Sequence, residues 1–303
     1  MMRERREHSM SGLMVNKRLA VSELFALALW LGASLAPALA AENGPCFYLV
    51  GVGPGDPDLI TVRAVRVLEK VDVVFCPRSL RKNVAPYLED KNVLDVDWFL
   101  WRYYGQDPSE LGANQRRLCE EIARKRRVFV SQVRCAVRAG KTVAVLSPGD
   151  PLIYGPHAWC LEEFEDLKPV VIPGLSCFNA ANAALGRDVT KSRYTRSVIL
   201  AADDWPGMID TIEKLSAHRT TMVLFTMKAD FDELVRKLSV NYPAPTPVAI
   251  VKYAGYAEKE EVVRGTLATI REQVDSERLP FEYLIYVGDF LTYRYKKDNA
   301  NQR

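Results

Sequence analysis

The sequence predicts an α/β fold of two domains, and three observations support that prediction. Short apolar runs alternate with helical patterns through the body of the chain, as they do where helices cover a sheet. Several of the predicted strands end in loops rich in glycine and proline, which is typical of ligand loops in a parallel sheet. Further along, the cations Lys191, Arg193 and Arg196 interrupt the apolar pattern. We therefore expect an N-terminal α/β domain with a parallel sheet at 46–195 and a C-terminal α/β domain at 196–290.

The two ends of the chain differ from this body. Lys17 and Arg18 precede an apolar run over 24–35, and Ala-Leu-Ala follows at 38–40. This pattern predicts a secretory signal peptide over residues 1–40, cleaved after Ala40. An uncleaved signal anchor is the alternative, although the run is shorter than the ~20 residues of a membrane span. We expect an exported protein, periplasmic or membrane-anchored, and a cytoplasmic one only if the signal is not used. Residues 291–303 read as a polar tail.

Charge and cysteine content narrow the classes of partner. Five Lys/Arg and three Asp/Glu lie within residues 1–40, so the body carries 36 basic and 35 acidic residues. This balance predicts neither nucleic acid nor a membrane surface as a partner, apart from an N-terminal anchor. The six cysteines form no C-x-x-C pair and fit no zinc spacing, so no metal is expected. Disulfides and buried single thiols both stay open, as does a homodimer.

The first glycine-rich loop follows the first predicted strand. An apolar run at 47–50 breaks into Gly51-Val-Gly53-Pro-Gly55-Asp-Pro57, and a helical pattern opens after Thr61 with Val62, Val65 and Leu68 on one face. The G-x-G-x-G spacing differs from the dinucleotide fingerprint, and no phosphate-loop motif is present. A small-molecule loop of another kind remains.

The next elements repeat this strand-and-loop pattern. We predict strands at 72–76, 142–146 and 170–172, a long helix at 114–139 and a small-residue helix at 178–185. The second of these strands runs into the loop 147–155 and the third into the loop 173–177. Three such loops at strand ends predict one composite pocket.

The intervening segment, residues 77–113, reads as irregular. Its aromatic cluster from Trp98 to Tyr104 could stack on a flat ligand, or pack as a core patch or subunit contact.

The second half continues with different loops. Strands are predicted at 198–202, 221–226, 247–251, 261–264 and 283–287, and helices at 208–215, 231–238 and 267–274. Asp230 is a plausible N-cap for the second of these helices.

Three motifs carry a resemblance to a known family. GVGPGDPDLIT at 51–61, SPGDPLIYG at 147–155 and IPGLSCFNAANAALGR at 172–187 together resemble the tetrapyrrole methylase family, whose members use S-adenosylmethionine to methylate uroporphyrinogen and precorrin rings. Weaker matches follow at 225–228, 247–254 and 262–267, so that the resemblance covers about residues 46–290.

The resemblance implies a fold, an activity and a site. It implies two α/β domains with a ligand cleft between them, and a methyltransferase of the cobalamin or sirohaem direction. It implies cofactor contacts at Pro54, Pro148, Gly149, Asp150, Ile153, Ser176, Cys177, Met227 and Ala254. It places Gly53, Gly55, Asp56 and Asp58 of the first loop on the tetrapyrrole side. No catalytic residue carries over, because Pro77 stands where relatives that methylate uroporphyrinogen have an aspartate. That proline resembles the precorrin-2 C20-methylating branch.

Rival interpretations stay open at this point. The protein could use the same fold with a different methyl acceptor, or be an exported tetrapyrrole-binding protein without catalysis. Asp56 and Asp150 could serve turn chemistry, because aspartate before proline favours turns. Tyr154 is expected to pack behind its loop, and His157 receives no role. Six cations could pair with tetrapyrrole carboxylates or simply face solvent: Arg78, Arg81, Lys82, Arg187, Lys191 and Arg193.

Overall fold

A computed structural model describes residues 44–227 and 229–295. The predicted signal peptide and the end of the predicted polar tail lie outside these described residues. From Pro45 onward the chain forms one compact unit. Among the helices of the described part, none is both long enough and apolar enough to cross a membrane.

The first half of this unit is built on a parallel sheet. Its strands are β1 (Phe47–Gly51), β2 (Val73–Cys76), β3 (Asn92–Asp95), β4 (Val143–Ser147) and β5 (Val170–Ile172). They are ordered β3-β2-β4-β1-β5, and every pairing is parallel, which confirms the predicted sheet. The prediction of irregular structure over 77–113 was wrong at β3. This edge strand has only four residues and none of them is fully buried, so it leaves no run of apolar residues to recognise.

The register of this sheet brings the glycine-rich loops together. Gly51 at the end of β1 lies opposite Ser147 at the end of β4, and Val50 lies opposite Ile172 at the end of β5. Because parallel strands end at the same edge of a sheet, the loops that follow all leave from that edge.

Seven α-helical segments are present in the described residues: α1 (Val62–Leu68), α2 (Arg81–Val84), α3 (Ala113–Arg138), α4 (Cys160–Glu163), α5 (Cys177–Leu185), α6 (Ile212–Ser216) and α7 (Phe231–Leu238). The predicted apolar face of α1 is confirmed at Leu68, which is buried, and was wrong at Val62, which is 67% exposed; Ala64 is the other buried residue. The capping prediction for α7 is confirmed, because the Asp230 side chain accepts a hydrogen bond from Glu233 N.

The second half is built on a mixed sheet. Its strands are β6 (Val198–Ala202), β7 (Thr221–Phe225), β8 (Pro247–Lys252), β9 (Glu261–Thr266) and β10 (Tyr283–Val287). They are ordered β6-β7-β10-β8-β9, with β6 and β7 parallel and the other pairs antiparallel. The boundaries predicted for the two domains stay predictions.

Two predicted helices of the second half needed correction. The helix expected over 208–215 begins only at Ile212, after its cap Thr211. The helix expected over 267–274 is a 3-10 turn at Ile270–Gln273. There the Thr269 hydroxyl accepts a hydrogen bond from Thr266 N at 3.1 Å, and such side-chain bonds compete with helix formation.

Helix α5 joins the two halves of the unit. Its buried residues Ala180, Ala181 and Leu185 pack in one cluster with Phe225 and Val251 of the second sheet. The Tyr286 hydroxyl lies 3.1 Å from the Phe178 carbonyl and 2.9 Å from Asn182 Oδ1. Small side chains on α5 let the second sheet approach closely, which positions the loop before α5 between the halves.

Candidate active site between the two sheets

A cavity of about 550 Å³ lies where the loops of both halves meet. Its lining includes every residue that the motifs assigned to the cofactor: Pro54, Pro148, Gly149, Asp150, Ile153, Ser176, Cys177, Met227 and Ala254. Of the residues assigned to the tetrapyrrole side, Gly53, Gly55 and Asp56 line the cavity, whereas Asp58 does not. The structure thus brings these residues together, and their individual ligand contacts stay predictions.

The three glycine-rich loops touch through their backbones. Gly53 N donates to Gly149 O at 3.3 Å, and Gly149 N donates to Gly53 O at 3.0 Å. A Cβ atom added to Gly174 would lie 2.0 Å from Gly149 O, so the third loop also packs against the second without space for a side chain. Glycine is required here because any Cβ would push the loops apart.

Asp150 ties the second loop to the third. Its Oδ1 accepts from Leu152 N at 2.8 Å, which is the turn chemistry expected of aspartate, and its Oδ2 accepts from Gly174 N at 3.3 Å. The carboxylate therefore has a structural role in the loops besides its place on the cavity wall.

Asp56 and its neighbours join the first loop to the second half. Asp56 N donates to Gly255 O at 2.9 Å, and Asp56 Oδ2 accepts from Ala257 N at 2.8 Å. A Cβ added to Gly55 would lie 2.2 Å from Gly255 O. Asn83 donates to Gly55 O at 2.8 Å and lies 3.0 Å from the Tyr256 hydroxyl. We call this group of residues, 55–56, Asn83 and 255–257, the latch.

The third loop ends in the cap of α5. Ser176 is 3% exposed, and its hydroxyl accepts from Phe178 N at 3.3 Å. Burial raises the pKa of Cys177 to about 11. The thiol therefore stays protonated at neutral pH and is a weak nucleophile.

The part of the cavity wall that the second half contributes contains strained backbone. Met227 after β7 has φ of 42°, and Tyr253 beside Ala254 has φ of 51°. Positive φ in residues other than glycine is costly and is concentrated at functional sites.

Tyr154 also has positive φ, 55°, and lies on the cavity wall. It packs across the cavity, with its ring 4.6 Å from that of Phe225 and its hydroxyl donating to Leu200 O at 3.4 Å. The expectation that Tyr154 packs behind its loop was wrong, because it lines the cavity and its partners belong to the second sheet.

Carboxylates of the second half lie on the cavity rim, and the motifs gave no signal for them. Asp203, Asp204, Asp210 and Glu282 line this part. Lys237 lies 2.9 Å from Asp204, and burial raises the pKa of Glu282. Within the described ranges, no cluster of His, Cys, Asp and Glu side chains could hold a metal ion.

The aromatic cluster contributes to the cavity and packs at the same time. Trp98 and Trp101 line the cavity, and their rings meet Phe281 and Trp205 of the second half. The centroid distance is 6.2 Å for Trp98–Phe281 and 5.3 Å for Trp101–Trp205. The packing interpretation of the cluster is thus confirmed, and stacking on a flat ligand stays a prediction.

The candidate cations lie outside the main cavity lining. Arg78 and Arg81 each lie 2.9 Å from Asp95, next to a recess that contains Pro77 and Trp98. Arg187 donates to Leu291 O at 3.1 Å. Pro77 itself is buried at the end of β2 and offers no ionisable group.

His157 has a structural place. It is fully buried, and neither ring nitrogen has a hydrogen-bond partner in the structure. Burial lowers its pKa to about 4, against the opposing effect of Asp97. The ring is therefore neutral at physiological pH.

Comparison with known proteins gives a consistent result. A family model described as Tetrapyrrole (Corrin/Porphyrin) Methylases matches residues 46–271. The chain is 30% identical over 260 residues to the cobalt-precorrin-4 C(11)-methyltransferase of Methanocaldococcus jannaschii, covering 84% of this chain and 91% of that protein. It is 30% identical over 256 residues to the uroporphyrinogen-III C-methyltransferase of Bacillus subtilis, covering 82% and 92%.

A solved structure shares the fold. The X-ray structure of a cobalamin biosynthetic enzyme, cobalt precorrin-4 methyltransferase, superposes with a TM-score of 0.63 at 25% identity, over 81% of this chain and 95% of that chain. The α/β fold built on two sheets is thus common to both proteins.

Proposed function

The chain belongs to the tetrapyrrole methylase family, and from this membership we propose that it transfers a methyl group from S-adenosylmethionine to a ring carbon of a tetrapyrrole. The observation that carries the proposal is the convergence of three motif loops from the first sheet with Met227 and Ala254 from the second sheet on one cavity. The relatives act in the biosynthesis of cobalamin and sirohaem, and we propose that this chain acts in one of these pathways.

The cavity fits the methyl donor by size and by chemistry. Its volume of about 550 Å³ lies in the range of small-molecule sites. Apolar side chains such as Ile153 and Ala254 line it together with the glycine-rich loops, which suits a ligand with both an apolar base and polar groups. When bound, S-adenosylmethionine supplies a sulfonium methyl group, which leaves as the sulfonium becomes a thioether.

The residues of this chain would act mainly by positioning. Methyl transfer is an in-line displacement, which needs alignment of donor and acceptor more than it needs a catalytic acid or base. The backbone contacts among Gly53, Gly149 and Gly174 fix the loops that would hold the donor. The raised pKa of Cys177 keeps this nearby thiol protonated, so it would not compete for the methyl group.

The ring position of the acceptor stays open. The two curated relatives are named for C11 of cobalt-precorrin-4 and for uroporphyrinogen-III, and neither name supports the similarity of Pro77 to the C20 branch. The alternatives of an unrelated acceptor and of a binding protein without catalysis also have no support among these relatives.

The cofactor part of the proposal is tested by calorimetry with S-adenosylhomocysteine. We expect saturable binding by the wild-type protein. An Ala254→Phe variant should bind at least about tenfold more weakly, because the larger side chain occupies the cavity. Ala217→Phe, at an exposed helix end, is the matched control and should bind like the wild type. If the wild type does not bind at millimolar ligand, the proposed function is wrong.

Export stays a separate proposal from the pattern of residues 1–40. Cell fractionation combined with mass spectrometry of the mature N-terminus tests it. We expect a chain that begins at Ala41 outside the cytoplasm, whereas an uncleaved cytoplasmic chain would refute export and leave the methyltransferase proposal intact.

A further inference from the structure

Two ring pairs close one side of the cavity. Trp98 meets Phe281 edge to face at an interplanar angle of 88°, and Trp101 meets Trp205 at 35°. In each pair one ring belongs to the segment between β3 and α3, and the other belongs to the second half. We call these four residues the aromatic gate. All of them line the cavity, and Trp205 and Phe281 remain 48% and 40% exposed.

The two sides of the gate are held separately. Arg126 of α3 donates to Leu100 O at 2.8 Å and to Arg102 O, so the first segment is fixed from behind. On the other side Asp204 accepts from Ile212 N at 2.6 Å and pairs with Lys237. In the described part of the chain, no hydrogen bond joins residues 97–104 to residues 203–210 or to Phe281. The two pairs can therefore separate without breaking backbone hydrogen bonds.

We propose that the aromatic gate is a binding element for the acceptor, in which the ring pairs part and pack against the pyrrole rings of the tetrapyrrole; this inference rests on the proposed function. Aromatic rings bind other rings through their faces and edges at the distances seen here. A macrocycle of pyrrole rings offers such faces to the exposed parts of Trp205 and Phe281.

Carboxylates border the gate on both sides. On one side Asp203, Asp204 and Asp210 would repel the carboxylates of a tetrapyrrole, so ring contacts must supply the attraction there. On the other side Trp98 also lines the recess that contains Arg78, Asp95 and Asp97, and Arg78 is paired there with Asp95. The apolar ring faces of the macrocycle would therefore meet the gate, and its attraction to the gate would come from the rings.

The test separates acceptor binding from donor binding. Trp205→Leu and Phe281→Leu remove exposed members of the gate, and Trp205→Phe keeps a ring. Phe99→Leu is the control, because Phe99 belongs to the same segment, is 49% exposed and does not line the cavity. Each protein is titrated with uroporphyrin III by fluorescence anisotropy and with S-adenosylhomocysteine by calorimetry.

We expect Trp205→Leu and Phe281→Leu to weaken porphyrin binding about five- to tenfold, with unchanged affinity for S-adenosylhomocysteine. Trp205→Phe should recover most of the affinity, and Phe99→Leu should match the wild type. Unchanged porphyrin affinity in both leucine variants would overturn the inference. Equal losses of affinity for both ligands would also overturn it, because they would show that the ring pairs only stabilise the structure. A wild type that binds porphyrin but not S-adenosylhomocysteine would instead refute the proposed function and leave the gate in place.

Discussion

The latch and the aromatic gate both join the first half of the molecule to the second at the cavity, and they do so by different physics. The latch consists of backbone groups and short polar side chains, with Asp56 N and Ala257 N each bonded across the cleft. The gate consists of side-chain rings whose centroids are 5.3 and 6.2 Å apart. The hydrogen bonds of the latch, at glycines without space for a Cβ, permit only one relative position of the two backbone segments. The rings of the gate can shift against each other and stay in contact. We infer that the cleft is fixed at the latch and adjustable at the gate.

The largest expected effect comes from adding one methyl group to the latch. Gly55→Ala forces a Cβ to within 2.2 Å of Gly255 O, and Gly55 has φ of +70°. We expect a loss of about 3–5 kcal/mol in the free energy of unfolding, measured by denaturant titration. Gly105→Ala is the matched control, since Gly105 has φ of +73° and no atom within 4 Å of its added Cβ. Gly105→Ala should lower the free energy of unfolding by only about 1–2 kcal/mol. Equal losses in the two variants would show that the close approach at the latch is not needed.

Acid should lower the stability of the fold through His157. His157 is buried next to Asp97, which precedes Trp98 of the aromatic gate, and burial lowers the pKa of His157 to about 4. Its unfolded-state pKa is near 6.5, so the unfolded chain binds the proton first and stability falls as the pH drops from about 6.5 to 4. We expect this one residue to lower the free energy of unfolding by about 3 kcal/mol between pH 6.5 and 4.

Denaturant titrations of the wild type and of His157→Phe at several pH values measure this effect. The variant lacks the titrating ring, so its stability should depend less on pH between 4 and 6.5. Parallel pH profiles for the two proteins would contradict the prediction.

A smaller effect is expected from the polar part of the latch. Asp56→Ala removes the acceptor for Ala257 N, and we expect a loss of about 1 kcal/mol in the free energy of unfolding. Asp58→Ala, two residues further along and outside the cavity lining, should change stability by less than about 0.5 kcal/mol. If the two alanine variants have the same stability, the hydrogen bond of Asp56 across the cleft contributes nothing measurable.

The smallest effect concerns Glu282 on the cavity rim. Burial raises the pKa of its carboxyl group, so ionisation disfavours the folded state and the stabilising contribution of the protonated form is lost as the pH rises. Glu282→Gln should therefore raise the melting temperature slightly at neutral pH and have less effect at low pH. A lower melting temperature at neutral pH would indicate that the carboxylate has a stabilising partner such as Lys259.

The difference between latch and gate also explains how far the sequence predicts the molecule. The three glycine-rich loops are predictable, because each follows a buried strand and their glycines are adjacent in sequence to that signal. The latch is not, since Asp56 and Ala257 lie 201 residues apart and nothing in the sequence pairs one with the other. The partners of Trp98 and Trp101 were missed for the same reason, since Trp205 and Phe281 lie in loops without periodicity. Only the three-dimensional arrangement brings these residues to one cavity.

Hydrogen exchange with and without S-adenosylhomocysteine tests most directly whether the cavity holds the methyl donor. We expect slower exchange with ligand in the loops at 51–56, 147–155 and 173–177 and at the ends of β7 and β8, with no change in the middle of α3. Among the single amides, Leu152 N and Gly174 N should exchange more slowly with ligand than without it, because both bond Asp150 and a bound ligand would reduce the opening of these two loops. Saturating ligand that leaves all three loops unprotected, or that protects a different surface, would contradict the assignment of this cleft.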